Sequence, residues 1–196
     1  RYGYYTIAGT FAWAGYALWR TRAIWRREFA RIASREWWQL GAVVGACSLV
    51  AWLTAPTVYK VLYDEMVLQA TARQMHFFRE ASTLVRGYMV DGVFAPFDTY
   101  LDKRPFFFPY LLSLVHDFTG YRQGNAFALN TALMPVLLAQ VYLLARRIAG
   151  HLGAIAGGVA LGTMSLLAHN ATGAGMEILN LTMLLLSMLD DVGVDG

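Results

Sequence analysis

Thiols and charges are scarce in this chain. One cysteine, Cys47, occurs among 196 residues, which excludes an intrachain disulfide and a metal site built on several thiolates. Charged residues make up 15% of the sequence, well below the roughly 25% of a soluble domain, whereas hydrophobic residues make up 57%. With a mean hydropathy of +0.41, this composition indicates a protein whose main solvent is lipid.

Common signatures of soluble enzymes are also missing. The sequence contains no G-x-S-x-G nucleophile motif, no H-E-x-x-H zinc motif and no glycine-rich phosphate loop of the Walker A or G-x-G-x-x-G type. The net charge is +3, but the arginines cluster beside apolar runs, where the rule that cytoplasmic loops are basic already accounts for them. We therefore expect no binding of nucleic acid.

Four apolar segments have about the length that a helix needs to cross the roughly 30 Å hydrocarbon core of a bilayer. They are residues 38–58, 125–145, 152–169 and 178–189, the last of which is short. A fifth segment, residues 4–19, is marginal in length and either spans the membrane or lies in its interface. The predicted fold is all-α, a polytopic transmembrane helical bundle with a long external loop containing juxtamembrane helices.

Arginine clusters at two places predict the orientation, because such clusters lie on the cytoplasmic side. The first cluster precedes residue 38 and consists of Arg20, Arg22, Arg26, Arg27, Arg31 and Arg35; the second is Arg146 and Arg147. The stretch that contains the first cluster has apolar residues that can share one face of a helix: Ile24, Trp25, Phe29 and Ile32. This pattern fits an interfacial helix or an ordinary linker helix equally well.

The two clusters bracket a long region that must then lie outside the cytoplasm. The first span leaves the cytoplasm and the second returns to it, so residues 59–124 form one non-cytoplasmic loop, and the turn at Glu177 lies on the same side. The apolar run at 106–118 is too short to cross and suits an in-plane or re-entrant helix. The chain divides accordingly into an N-terminal apolar segment with a basic linker (1–37) and a transmembrane module (38–196).

Two adjacent acids, Asp64 and Glu65, follow the first span closely, near the depth of a lipid phosphate. A carboxylate at this position can act as a general base. The helical pattern of residues 66–78 offers another interpretation, because capping and the helix dipole favour an acid at a helix start. From the residues alone, a capping or solvated acid is the favoured interpretation.

Two further places carry candidate binding residues. Tyr100, Asp102, Lys103 and Arg104 precede an aromatic run, and adjacent cations there can grip a phosphate headgroup while the rings lie among acyl chains. Anchoring to bulk lipid is the alternative. Glu177 is an acid at a membrane boundary and is a functional candidate for that reason, although an external turn would tolerate it.

Four stretches occur in an order that is similar to the GT-C type of integral-membrane glycosyltransferase. They are DEMVLQATARQM (64–75), LDKRPFFFPYLLSLVHDFTG (101–120), LNTALMPVLLAQVYLLARRIAG (129–150) and the acid Glu177. From residue 38 onward the chain resembles bacterial aminoarabinose transferases that act on lipid A and, more distantly, protein O-mannosyltransferases of glycosyltransferase family 39. Val67 and Asn130 stand where that family has arginines, and Arg104 displaces the second proline of its acid-Lys-Pro-Pro motif.

The resemblance implies a sugar transferase and gives roles to the candidate residues. Asp64, beside Glu65, would supply the catalytic carboxylate. The donor pocket would be lined by Tyr100, Asp102, Lys103, Arg104 and Glu177. The implied donor and co-substrate is a polyprenyl-phosphate sugar, and the implied location is a bacterial inner membrane with the active site on the periplasmic face.

The sequence leaves several points open. Whether a divalent cation joins Asp102 and Glu177, which sugar and acceptor are used, and how the chain oligomerises are all undetermined. We expect the chain to be the N-terminal part of a longer enzyme. The rival functions are a polytopic transporter or lipid flippase and a non-catalytic membrane scaffold.

Overall fold

Seven helices and one β-hairpin form the described part of the chain. The computed structural model describes residues 2–30 and 32–191, with side chains except at residues 24, 25, 27, 28, 190 and 191. The elements are α1 (Tyr2–Ala30), α2 (Ser34–Thr54), α3 (Leu62–Phe78), β1 (Thr83–Val90), β2 (Val93–Tyr100), α4 (Phe107–Thr119), α5 (Gly124–Gly162), α6 (Ser165–Ala171) and α7 (Glu177–Asp191). The mainly helical class is confirmed.

Between two ends of the molecule, α2 runs antiparallel to residues 124–149 of α5, and α7 runs parallel to them. At one end Arg146 donates to Glu36 (Nη2 to Oε2, 2.8 Å), and Arg147 donates to the carbonyl of Leu189 at 2.8 Å. These contacts join the start of α2, the middle of α5 and the end of α7, and we call this the basic end. At the opposite end lie α3, α4 and the turn before α7.

The core of the bundle contains small and aliphatic side chains from four helices. Cys47 and Ala51 of α2 pack with Leu138 of α5, Leu167 of α6 and Ile178 of α7. Cys47 is a packing residue that lies directly against the backbone of Gly162. A Cβ atom at position 162 would lie only 2.4 Å from Sγ of Cys47, so there is no room for a side chain there.

Gly150 divides α5 into two helical parts that run in opposite directions. Its φ of 68° and ψ of −166° are a conformation that is essentially restricted to glycine. The part before Gly150 corresponds to the predicted span 125–145. The part after it returns along the bundle, with Gly158 against Val43 and Tyr142, but it ends at Gly162, so α6 completes the predicted span 152–169 after a break at residues 163–164.

The N-terminal region contains one helix, α1, that covers the predicted apolar segment and continues into the basic stretch after it. α1 covers 29 residues without interruption, which corresponds to about 43 Å. Its start packs through Phe11 against Phe107 and Tyr110 of α4, and Phe29 near its end contacts Trp37 of α2. The side chains of Ile24, Trp25 and Arg27, and residue Arg31, lie outside the described residues, so the shared apolar face stays a prediction.

The loop predicted at residues 59–124 contains a β-hairpin, so the all-α prediction is wrong in this region. β1 and β2 pair antiparallel around Asp91 and Gly92, whose φ angles are both positive (50° and 78°) as a two-residue type I′ turn requires. The hairpin is attached to α3 by a hydrogen bond between the hydroxyls of Thr71 and Thr83 (2.6 Å).

α3 and α4 form a second apolar cluster that supports the hairpin end. Leu68 and Ala72 of α3 pack on Phe108 and Leu112 of α4. α4 matches the predicted helix at 106–118 within a residue.

Two helices among the described residues, α2 and α5, are long and apolar enough to cross a membrane, and Glu177–Leu189 is a shorter apolar helix. On α2 the apolar side chains of Leu49, Val50, Trp52 and Leu53 are exposed rather than packed in the bundle. A contiguous apolar surface of this kind is typical of a membrane or protein contact, so membrane association is supported.

Candidate active site

A small polar pocket lies where the start of α3, the residues before α4 and the turn before α7 meet. It encloses about 90 Å³ and is lined by Lys60, Val61, Asp64, Glu65, Leu68, Arg104, His169, Asn170, Gly175, Met176 and Glu177. Four of the predicted site residues, Asp64, Glu65, Arg104 and Glu177, are thus brought together from three distant parts of the sequence. Sites that enclose a whole ligand have volumes of about 300–1,000 Å³. This pocket is smaller, so it can hold one reacting group of a substrate but not the whole molecule.

Arg104 joins two carboxylates at the edge of this pocket. Its Nη1 donates to both carboxylate oxygens of Asp102 (2.9 and 2.7 Å), and its Nη2 donates to Asp64. Hydrogen bonds to Asp102 first and to Asp64 second raise the pKa of Arg104 above its usual value. The guanidinium is therefore a permanent, fixed positive charge beside Asp64, the carboxylate predicted to act as the catalytic base.

The two partners of Arg104 differ in exposure. The Asp102 side chain is 6% exposed and also accepts a hydrogen bond from the backbone N–H of Lys103 (2.8 Å), whereas the Asp64 side chain is 52% exposed. Asp64 accepts no capping hydrogen bond, since the N-cap of α3 is Val61. Asp102 is thus the structural partner of Arg104, and Asp64 is the partner that a ligand can replace.

Glu65 is buried rather than solvated, and one of its hydrogen bonds reaches back to the residue before the N-cap of α3. It is 3% exposed, and its two carboxylate oxygens accept from the backbone N–H groups of Lys60 (2.6 Å) and Ala174 (2.8 Å). A buried carboxylate is stable only when such bonds replace its hydration. Glu65 therefore ties the approach to α3 to the turn before α7 and fixes the floor of the pocket.

Asn130 and Gly173 hold the same turn, and neither was among the predicted site residues. Asn130 is fully buried in α5, and its Nδ2 donates to the carbonyls of Gly173 (2.9 Å) and Gly175 (2.8 Å). A Cβ atom at Gly173 would lie 2.7 Å from Oε1 of Glu65. Only glycine admits this approach, and an asparagine deep in an apolar helix was the available signal that a polar partner exists.

The other predicted residues lie outside the pocket. Lys103 is exposed and its side chain is not among the lining residues. Tyr100 lies with Tyr63 in a neighbouring groove of about 280 Å³ between α3 and the hairpin, where burial and then the charge of Asp102 raise the pKa of its phenol. Arg104 rather than Lys103 is therefore the cation beside Asp64.

The cation proposed for Asp102 and Glu177 stays a prediction. Within residues 2–30 and 32–191 there is no group of three or more metal-ligating side chains. Both oxygens of Asp102 are engaged by Arg104, while Glu177 is an exposed lining residue of the pocket. Among the lining residues, Arg104 is the cation in contact with Asp64, and Lys60, whose Nζ donates to the carbonyl of Pro56 (2.6 Å), is a second positive charge at the pocket.

A second polar cluster fixes α3 against α4 and α1. Asp117 accepts from Nη1 and Nη2 of Arg79 (2.7 and 3.1 Å) and contacts Nδ1 of His76 (2.5 Å), and Arg79 also donates to the hydroxyl of Tyr4 (3.2 Å). Burial alone would raise the pKa of Asp117, but these hydrogen bonds outweigh it and lower the pKa. Neighbouring His116 is buried, which lowers its pKa to about 4, so it stays neutral at physiological pH and serves as a packing residue.

The chain matches no family model, and no curated protein or solved structure is significantly similar to it.

Substitution of Glu65 by glutamine should destabilise the protein rather than act only on chemistry. Glutamine keeps one acceptor oxygen but turns an amino group toward a backbone N–H, so one charge-assisted hydrogen bond is lost, at about 1.5–3 kcal/mol. Unfolding of the purified protein in detergent would measure this loss. The matched control is Glu177→Gln, at an exposed acid in the first turn of α7, where the cost should be no more than about 1 kcal/mol. Equal stability of the two variants would contradict the structural role of Glu65.

Proposed function

We propose that the chain is the catalytic part of a polytopic membrane glycosyltransferase that moves a sugar from a polyprenyl-phosphate donor to a lipid, glycan or protein acceptor on the non-cytoplasmic face. The observation that carries this proposal is the pairing of the exposed carboxylate of Asp64 with the fixed cation Arg104 at a polar pocket. A transferase that uses an already activated donor needs one base and one counter-charge for the leaving phosphate. The order of motifs described above supports the same class.

The segregation of charge between the two ends supports the proposed orientation. Arg35, Arg146 and Arg147 lie at the basic end, and the second half of α1 carries Arg20, Arg22 and Arg26 toward it. The acid-containing pocket lies at the other end. Because basic residues favour the cytoplasmic side, the pocket would face the periplasm or exterior of a bacterial inner membrane.

Arg104 gives a physical route from donor binding to catalysis. A donor phosphate that binds the guanidinium would displace Asp64, since Asp64 is half exposed, and would leave the buried Asp102 in place. The released Asp64 carboxylate could then accept the proton of the acceptor hydroxyl while Arg104 stabilises the departing polyprenyl phosphate. A single displacement at the anomeric carbon would invert its configuration.

The same geometry favours a transferase over a transporter. Transporter sites lie near the bilayer midplane, at broken helices that present ionisable or backbone groups to a cavity. The chain does have a broken helix at residues 163–164, but the hydroxyl of Thr163 donates to the carbonyl of Val159 in its own helix (2.8 Å). The ion pairs among the described residues lie at the two ends of the molecule and not near its middle.

Turnover of a radiolabelled polyprenyl-phosphate sugar in membranes that contain the full-length protein tests the function. Release of polyprenyl phosphate that depends on an added acceptor is the expected result. Failure to consume any of a panel of hexosyl and pentosyl donors, in membranes where the protein is folded, would overturn the proposal.

Cysteine labelling tests the orientation. Val93→Cys, on the hairpin and 69% exposed, should react with a membrane-impermeant maleimide in intact cells, whereas Ser34→Cys, at the exposed start of α2, should react only after the inner face is opened. Native Cys47 is buried, and the unsubstituted protein therefore serves as the blank. The reverse pattern would place the pocket in the cytoplasm and remove it from the proposed reaction.

A further inference from the structure

A second cavity lies in the half of the molecule toward the basic end, between α1, α5 and α7. It has a volume of about 440 Å³, within the about 300–1,000 Å³ of sites that enclose small molecules. Its apolar wall includes Leu18, Phe29, Val136, Leu143, Leu186 and Leu189. We call this cavity the apolar groove. It is separate from the polar pocket in its lining residues and in its place in the fold.

One buried polar side chain in the groove is not satisfied by the protein. Gln140 of α5 lines the groove and is 7% exposed, and its Oε1 is buried without a hydrogen-bond partner. A buried polar atom left unpaired is costly. The amide oxygen lies behind the apolar surface of the groove, and a rotation of the Gln140 side chain would bring the oxygen or, after a flip, the amino group to a hydroxyl or an ester carbonyl of an occupant.

Positive charge surrounds one edge of the groove. Arg22 belongs both to the groove and to an adjoining patch on α1 with Trp19, Arg20 and Arg26. The Nη1 of Arg22 donates to the carbonyl of Trp19 (2.7 Å), and its guanidinium lies 4.0 Å above the Trp19 ring. Among the side chains that the structure describes, neither Arg22 nor Arg26 has an acidic partner. Charge, an apolar cavity and an unpaired amide therefore occur side by side.

We propose that the apolar groove binds an anionic phospholipid from the leaflet at the basic end. Its phosphate would contact Arg22 and Arg26, its acyl chain would lie between α1, α5 and α7, and its ester or hydroxyl group would pair with Gln140. The charge complementarity decides for an anionic lipid, because basic pockets between membrane helices bind such headgroups. The inference rests on the proposed membrane placement but not on the sugar-transfer chemistry at the other end.

The occupant would also explain how α1 is held along this part of the bundle. Its N-terminal half contacts α4 directly through Phe11, whereas Leu18 faces the groove that separates α1 from α5. A lipid chain in that space would fill the interface. The lipid would then be a structural component, retained through purification.

The test is lipid retention by the full-length protein, measured by native mass spectrometry in micelles doped with dioleoylphosphatidylglycerol or dioleoylphosphatidylcholine. We expect the phosphatidylglycerol to be retained preferentially by the wild type. Each of Arg22→Gln and Arg26→Gln should reduce that preference about five-fold, the contribution of one basic residue near an anionic lipid surface. Val136→Trp, which places a ring in the groove, should reduce retention of both lipids.

Arg86→Gln, at an exposed arginine on the hairpin, is the matched control and should leave the preference unchanged. Equal retention of the two lipids by the wild type, or an undiminished preference in the Arg22→Gln, Arg26→Gln double variant, would overturn the proposal. Both arginines are exposed, so this double variant should fold even if Val136→Trp does not. Absence of sugar transfer with normal lipid preference would count against the proposed function and leave this inference standing.

Discussion

Asp64→Asn is expected to lower the rate of sugar transfer by about 10² to 10⁴-fold, the usual contribution of a general base. Asparagine keeps the size of aspartate and one acceptor oxygen but cannot take the proton of the acceptor hydroxyl. The loss should therefore fall on the chemical step, while donor binding should be intact or tighter, because the donor phosphate no longer competes with a carboxylate for Arg104. Single-turnover measurements with a radiolabelled polyprenyl-phosphate sugar separate these steps.

The stability of this variant should change little. Asp64 is half exposed, and Arg104 retains both hydrogen bonds to Asp102, so the loss of the Asp64 ion pair should cost about 0–1 kcal/mol. The control is Asp98→Asn, the same substitution at an exposed acid on β2, which should transfer sugar at the normal rate. Near-normal turnover by Asp64→Asn would remove this residue from the chemistry.

Glu65 shows why two adjacent acids could not be distinguished from the sequence. Successive residues of a helix point about 100° apart, so Asp64 faces the pocket edge while Glu65 faces the interior. The N–H group that decides the role of Glu65 belongs to Ala174, 109 residues away along the chain. Local patterns carry no information about such a partner. A loss of transfer in a Glu65 variant is therefore interpretable only alongside its unfolding.

The helices were largely predictable because a long apolar run favours a helix, in which the backbone hydrogen bonds are made within the segment itself. Apolar runs located α2, both parts of α5 and α7. The limits of the helices within the predicted span 152–169 were harder to predict, since hydropathy gives no signal for the break at residues 163–164. The same apolar criterion separated the first 19 residues from the basic stretch that follows, although arginine is a good helix former and α1 continues through it.

The hairpin was missed although its signal is present in the sequence. Asp91-Gly92 stands between two runs rich in β-branched and aromatic residues, and this dipeptide is a strong indicator of a two-residue hairpin turn. An expectation formed from membrane helices gives such a loop no sheet, because helical periodicity contains no signal for a hairpin. The hairpin matters for the site, since β2 leads directly into the segment that carries Asp102 and Arg104.

Arg104→Ala is expected to have the largest effect on stability and also to weaken donor binding. Removal of the guanidinium leaves the buried carboxylate of Asp102 without its charged partner, which typically costs about 3–5 kcal/mol. The hydrogen bond that Asp102 keeps to the N–H of Lys103 should reduce this cost. Lys103→Ala removes an exposed side chain outside the pocket and should change stability by no more than about 0.5 kcal/mol. Unfolding in detergent compares the two variants directly.

Donor binding can be separated from this destabilisation by removing the buried charge as well. In the Asp102→Asn, Arg104→Ala double variant no carboxylate is stranded, so most of the stability should return while the phosphate-binding cation is still absent. If Arg104 holds the donor phosphate, the double variant should remain folded and bind a polyprenyl-phosphate sugar weakly, and Arg104→Lys should restore binding in part, because lysine supplies the charge without the planar fork. Strong donor binding by the double variant, together with loss of binding in Lys103→Ala, would instead assign the phosphate to Lys103. The phosphate would then not replace Asp64 on Arg104, and donor binding would not release the catalytic base.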